Sequence, residues 1–281
     1  MIRVLLVDDQ PLIRTGLRTD FADAPVALLA AEASCWRLEP GAAWHGFDGL
    51  SEGHCLLDPV KVTLTCPGVT ADGRTGPWGV PARVLTAYLA TRGIVVEKTD
   101  SYSTLVLFSM GITKGKWGTL MDFKAPYDED APLARVLPAL VEGHPRHYRG
   151  ATLREPCGRM HRHLTDGAFV QALDEAFRHP PRPVHPPRYC YQRLVRGGTE
   201  RVRLADAAHR TAAAMVTVTP PGIPVLMPGE SLGEPDGPLL RYLTALESFD
   251  RAFPGFGGEA HGVVTDPDTG DHLVECLRPD A

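Results

Sequence analysis

Two adjacent carboxylates, Asp8 and Asp9, directly follow the apolar run of Ile2, Val4, Leu5, Leu6 and Val7. Acids at the end of a strand can hold magnesium for phosphoryl transfer. Such a site needs a third ligand and a phospho-acceptor, and the sequence supplies neither. They are expected to be plain strand-end acids. Glu97 offers different chemistry. It closes the short apolar run Ile94, Val95 and Val96. A carboxylate there can pair with a guanidinium or ammonium group, and a bidentate pair also fixes geometry. The alternative is a solvated Glu beside Lys98, worth little. His45, inside Trp44-His45-Gly46-Phe47, can transfer protons near neutrality. Glycine with two aromatics equally suits a packed loop. The six cysteines form no CxxC pair, so neither a zinc site nor a dithiol motif is expected, and no metal is assigned.

The elements that position these groups follow from periodicity. A strand over Ile2–Val7 should be a buried parallel one, with Pro11 opening a helix that carries Leu12, Ile13 and Leu17. Residues 25–35 read as a helix. Leu57–Cys66, Ile94–Glu97 and Leu105–Ser109 read as strands. Pro81 starts a helix with Val84, Leu85, Tyr88 and Leu89 on one face, ended by Gly93. Further helices are expected at 114–124, 133–142, 169–177 and 189–196. Residues 178–187 are too rich in proline to be helical. Strands follow at 199–204 and 213–219. Pro238 then opens an amphipathic helix with Leu239, Tyr242, Leu243, Leu246, Phe249 and Phe253 on one stripe. A hairpin of 262–264 with 271–276 ends the chain. Residues 220–230, with their prolines and glycines, predict a rigid irregular path whose Glu230 serves structure. The pattern is that of an α/β or α+β chain in two lobes.

Composition narrows the function classes. The chain has 281 residues, 43% of them hydrophobic and 22% charged, as in a globular protein with a sizeable core. A net charge of −5 argues against a nucleic-acid partner. No apolar run reaches the roughly 18 residues of a membrane span. The N-terminus turns acidic too soon for a signal peptide, so a cytoplasmic protein with reduced thiols is expected.

Eight motifs occur in an order that identifies a family. They are Phe21–Pro25, Trp44–Phe47, Leu57-Asp-Pro-Val-Lys-Val-Thr63, Gly93-Ile-Val-Val-Glu-Lys-Thr99, Leu107-Phe-Ser-Met-Gly111, Lys114-Gly-Lys-Trp-Gly-Thr119, Pro220–Glu230 and Phe253-Pro-Gly-Phe256. In this order they resemble the C-terminal portion of the ornithine/lysine/arginine decarboxylases, the acid-induced arginine and lysine enzymes above all. The Lys114–Thr119 block leans toward arginine. Residues 1–20 resemble instead the start of a response-regulator receiver domain.

The resemblance implies a pyridoxal-phosphate enzyme of the aspartate-aminotransferase class (fold type I). The cofactor accepts the electrons left when the carboxylate departs, while the protein orients the substrate. It implies a small domain at 21–140, an α+β C-terminal domain at 141–281, and a homo-oligomer. The family's Schiff-base lysine lies in a Ser-x-His-Lys segment. Here the lysines are Lys61, Lys98, Lys114, Lys116 and Lys124, and none follows a histidine. The resemblance therefore implies no catalytic residue in this chain and no covalent cofactor. It places Glu97 near the distal cation of a basic amino acid, with Trp44, His45 and Thr99 in the active-site vicinity.

Three departures stand out. The large domain is expected to be missing. The stretch Trp117–Tyr127 is about one helical turn of 3.6 residues short. Gly257-Gly258 follows Phe256 where the family carries polar residues. The competing readings are a non-catalytic assembly module and, from residues 1–20 alone, a signalling receiver.

Overall fold

The computed structural model describes residues 3–5, 25–31, 37–41, 74–108, 128–166, 169–219 and 222–279, together with 49–69 except 52, 54, 57 and 59. The chain divides into two units, Met1–Ala131 and Pro132–Ala281. The sequence places this boundary at 140. Leu133 moves it: the side chain is fully buried and its N–H donates to the Ala151 carbonyl at 2.9 Å. Pro132 also bridges Thr152, so the segment belongs to the second unit.

The first unit carries β1 (Arg3–Leu5), α1 (Val26–Ala31), β2 (Lys61–Thr65), α2 (Ala82–Thr91), β3 (Lys98–Thr99) and β4 (Ser103–Leu107). The sheet order is β1-β2-β4-β3, and each pairing is antiparallel. The N-terminal run is thus not the buried parallel strand expected. Arg3 stands opposite Thr65, making β1 an edge strand on β2.

Burial alternates along β4, with Thr104 and Val106 covered. On α2 the residues Val84, Leu85 and Leu89 are buried, as the stripe requires. Strand β2 is shorter than expected because Asp58 closes a turn. Its Oδ1 accepts the Val60 N–H at 3.2 Å, and its carbonyl accepts that of Lys61 at 3.3 Å.

The second unit contains α3 (Leu133–Val136), α4 (Pro138–Gly143), α5 (Pro145–Tyr148), α6 (Arg154–Asp166), α7 (Phe169–Arg178) and α8 (Pro187–Val195). There follow β5 (Thr199–Arg203), β6 (Val216–Thr219), β7 (Ile223–Leu226), α9 (Pro238–Ala252), β8 (Glu259–His261), β9 (Val263–Thr265) and β10 (His272–Leu277). The strands form two antiparallel three-stranded sheets, β5-β10-β9 and β7-β6-β8. The helix expected over 133–142 is two. Leu137 sits at φ −132°, ψ 66°, because Pro138 bars the residue before it from helical geometry.

The core of this unit is built on α9. Leu239, Leu240, Tyr242, Leu243, Leu246 and Phe249 are buried on it, and Phe253 just beyond. Phe169 of α7 packs on Tyr242 and Phe249, while His163 of α6 turns its ring edge-on to Phe249 and Phe253. Of the stretch 178–187 expected to be non-helical, residues 179–186 are so, as proline dictates, while Arg178 ends α7 and Pro187 opens α8.

Candidate functional site

Glu97 and Thr99 flank the start of β3. The path to them is set by the end of α2. Gly93 takes φ +72°, and the Ile94 N–H reaches back to the Leu89 carbonyl at 3.0 Å. This wrap uses up Ile94–Val96, so the strand expected at 94–97 does not form there. Pairing begins at Glu97, whose N–H donates to the Leu105 carbonyl at 2.8 Å. Register then runs Lys98 opposite Leu105 and Thr99 opposite Thr104. Asp100 closes the hairpin through its N–H to the Ser103 carbonyl, 2.7 Å.

The Glu97 side chain is exposed, whereas Thr99 is half-buried and shares a 2.8 Å hydroxyl contact with Thr86 of α2. The Thr104 hydroxyl donates to the Lys98 carbonyl at 2.9 Å. The backbone at Glu97 is therefore fixed on both sides, and a carboxylate stands in solvent at a defined place. Trp44 and His45 lie outside the described residues, as do Asp8 and Asp9.

Pyridoxal phosphate requires a lysine amine held in a sheltered site. Lys61 lies on β2 with its side chain 56% exposed, 3.4 Å from Asp58. Lys98 is exposed on β3. The other three lysines fall outside the described residues. The described residues thus do not fit the cofactor.

The segment ending in Glu230 is structural. Glu230 Oε2 accepts the Met227 N–H at 2.7 Å, closing the turn after β7. The Gly229 carbonyl takes the N–H groups of Val184 (2.8 Å) and His185 (3.0 Å), tying the proline-rich connection down. Residues 223–226, expected to be irregular, form β7.

Polar chemistry that the sequence reading missed gathers between α9 and β10. His272 is 2% exposed, its Nε2 lies 3.5 Å from Asp250, and its N–H donates to Glu247 at 2.8 Å. Arg251 bridges Glu247 (3.1 Å) and Asp271 (2.7 Å). The three α9 residues fall at i, i+3 and i+4, a spacing visible in the sequence. An open cleft of about 360 Å³ lies at the other end of α9, lined by His179, Arg182, His209 and Glu234 among others.

The fold is thus one of mixed helices and sheets, and comparison with known proteins gives its class. The family model described as "Orn/Lys/Arg decarboxylase, major domain" matches residues 8–116, and "Orn/Lys/Arg decarboxylase, C-terminal domain" matches residues 170–278. The chain belongs to the Orn/Lys/Arg decarboxylase family. It is 44% identical over 249 residues to lysine decarboxylase LdcA of Pseudomonas aeruginosa, covering 86% of this chain and 33% of that protein. It is 39% identical to the biodegradative arginine decarboxylase of Escherichia coli K12, covering 94% and 35%. The structure of the E. coli constitutive lysine decarboxylase superposes with a TM-score of 0.77 at 35% identity, covering 87% and 35%.

The chain spans about a third of the length of these relatives. The major-domain match corrects one expectation. Part of that domain is present, and the match runs from residue 8 through the junction expected at 20/21.

Proposed function

We propose that this chain is the C-terminal part of a pyridoxal-phosphate-dependent decarboxylase of basic amino acids, which releases CO2 and leaves the amine. The observation that supports this is the tandem match to the major and C-terminal domain models. Arginine is the substrate favoured by the Lys114–Thr119 block, ahead of lysine and ornithine. The higher identity to a lysine decarboxylase weighs the other way, so the assay compares all three substrates. In the complete enzyme this segment would contribute Glu97 to hold the substrate's distal cation, with Thr99 fixing the hairpin beneath it. The assembly is read as a homo-oligomer in the cytoplasm. Supporting the second point, the five described cysteines form no disulfide among the described residues. No helix among the described residues is long and apolar enough to cross a membrane.

Alone, the chain is proposed to be inactive, because no lysine follows a histidine in it and the described ones are exposed. Purified chain incubated with pyridoxal phosphate and arginine, lysine or ornithine is expected to release CO2 no faster than free cofactor does. Faster release, with an aldimine absorbance band on the protein, would overturn this reading. The alternative is an assembly module that binds a complete homologue, favoured by the separate core each unit possesses.

Glu97 is tested in a full-length enzyme carrying this segment. Glu97→Gln keeps the shape and removes the charge. Loss of a charge-assisted pair costs about 1.5–3 kcal/mol of substrate binding, roughly tenfold to hundredfold in affinity. Cofactor binding should be unchanged. Equal affinity for substrate would return Glu97 to the class of solvated surface acids.

A further inference from the structure

His272 stands at the first position of β10 with its ring enclosed, 2% exposed. Its two nitrogens have different surroundings. Nε2 faces Asp250 Oδ2 at 3.5 Å, while Nδ1 meets no hydrogen-bond partner. A neutral imidazole with its proton on Nε2 suits this site, since the bare Nδ1 lone pair costs less than a buried, unmatched N–H. A second proton would go on Nδ1. It would place a donor with no acceptor, and a cation, where water does not reach.

The charged groups around the ring come from three places. Helix α9 supplies Glu247, Asp250 and Arg251. The approach to β10 supplies Asp271, and Arg203 of β5 acts on Asp271 in turn. Across on β9 the residue opposite His272 is Thr265, which does not titrate. Glu247 and Asp271 are both engaged by Arg251, so their charge toward the ring is partly spent.

The same residue also carries the backbone tie of the hairpin to the helix. The His272 N–H donates to Glu247 Oε2 at 2.8 Å, and Arg251 joins Glu247 to Asp271. A ring that leaves its pocket must therefore drag on the hydrogen bond that docks the β9–β10 hairpin on α9.

We propose that His272 is a proton-sensitive latch: neutral, it stays buried and holds the β9–β10 hairpin against α9; protonated, it is expelled and the hairpin is released. Burial holds the imidazole below its ordinary 6.5, with Glu247 opposing and Arg251 reinforcing that shift. Above 6.5 the ring is neutral both folded and unfolded. Below it the unfolded chain takes the proton first, so stability falls as pH drops from 6.5 toward the depressed folded value. The latch stands independently of the decarboxylase reading, because it needs neither cofactor nor substrate.

Hydrogen exchange of the intact 281-residue chain tests it, with rates corrected for the intrinsic effect of pH. Peptides covering 263–277 should lose protection between about pH 7.5 and about pH 5.5, while those of α2 in the other unit hold theirs. His272→Gln, polar but not titratable, should remove that pH dependence, and Asp250→Asn should move its midpoint lower by withdrawing a nearby carboxylate. If the Gln variant does not fold, NMR titration of the His272 ring in the native chain decides. A midpoint at or above 6.5 overturns the latch, as does a pH-independent exchange pattern at 263–277 or an unchanged pH dependence in His272→Gln.

Discussion

Gly229→Ala is expected to lower the stability of the second unit by about 4 kcal/mol, from two terms. Gly229 sits at φ +93°. Left-handed backbone costs a residue with a Cβ about 1–2 kcal/mol. The added carbon would also overlap the carbonyl oxygen of His185, a backbone atom that cannot swing aside. Relief requires moving the set of hydrogen bonds Gly229 holds: its carbonyl to Val184 and His185, and its N–H to the Ala212 carbonyl at 2.8 Å. Each lost bond costs about 1 kcal/mol. For a unit of this size, about 4 kcal/mol is roughly 8–16 °C of Tm. Gly233→Ala is the control. It has φ +79° but nothing within 4 Å of the added carbon, so only the backbone cost of about 1–2 kcal/mol applies. Equal Tm shifts for the two variants would show that the proline-rich segment yields to the clash.

The contrast between these glycines shows what a sequence can reveal. The Pro-Gly-Glu run declares a turn, and Glu230 indeed closes one. It does not declare that Pro183 and His185, more than forty residues earlier, lie against that turn. Such non-local closeness has no local signature. The α9 stripe was fully legible, because six apolar positions repeat at helical spacing and all six are buried. Helix α6 was not. Its buried face is Cys157, Met160, His161 and Leu164, and two of these read as polar or ambiguous. The spacing Leu153, Cys157, Met160, Leu164 was there to be found.

Strand boundaries failed where a helix end or a turn side chain intervened, at Gly93 and at Asp58. Of the site, Glu97 precedes β3 and Thr99 lies on it, where a strand ending at Glu97 was expected, and their surroundings could not be read. The chain spans about a third of the length of its relatives, and the Glu97 side chain is exposed in it. The α9–β10 cluster escaped because its members, Glu247, Asp250, Arg251 and Asp271, look like a solvated helix face and loop until His272 is seen to be buried under them.

Phe249→Ala is expected to cost about 3–5 kcal/mol, the range for emptying a buried aromatic site. Phe249 is fully buried, with Phe253 at 5.0 Å, His163 at 5.7 Å and Phe169 at 6.2 Å between ring centroids. Three elements meet on it, α6, α7 and α9, so the cavity cannot close by the collapse of one neighbour. Phe249→Leu keeps most of the volume and should cost less, about 1.5 kcal/mol or under if the neighbours repack. Urea unfolding followed by near-ultraviolet circular dichroism measures both. The alanine variant carries a second signal. Burial holds the His163 imidazole below its ordinary value, and Phe249 is part of what buries it. Opening the cavity admits water to the ring, so the His163 titration should move up toward 6.5 in the variant. A small stability loss with an unmoved His163 would mean that the helices close over the gap, and that α9 is a less rigid centre than its burial indicates.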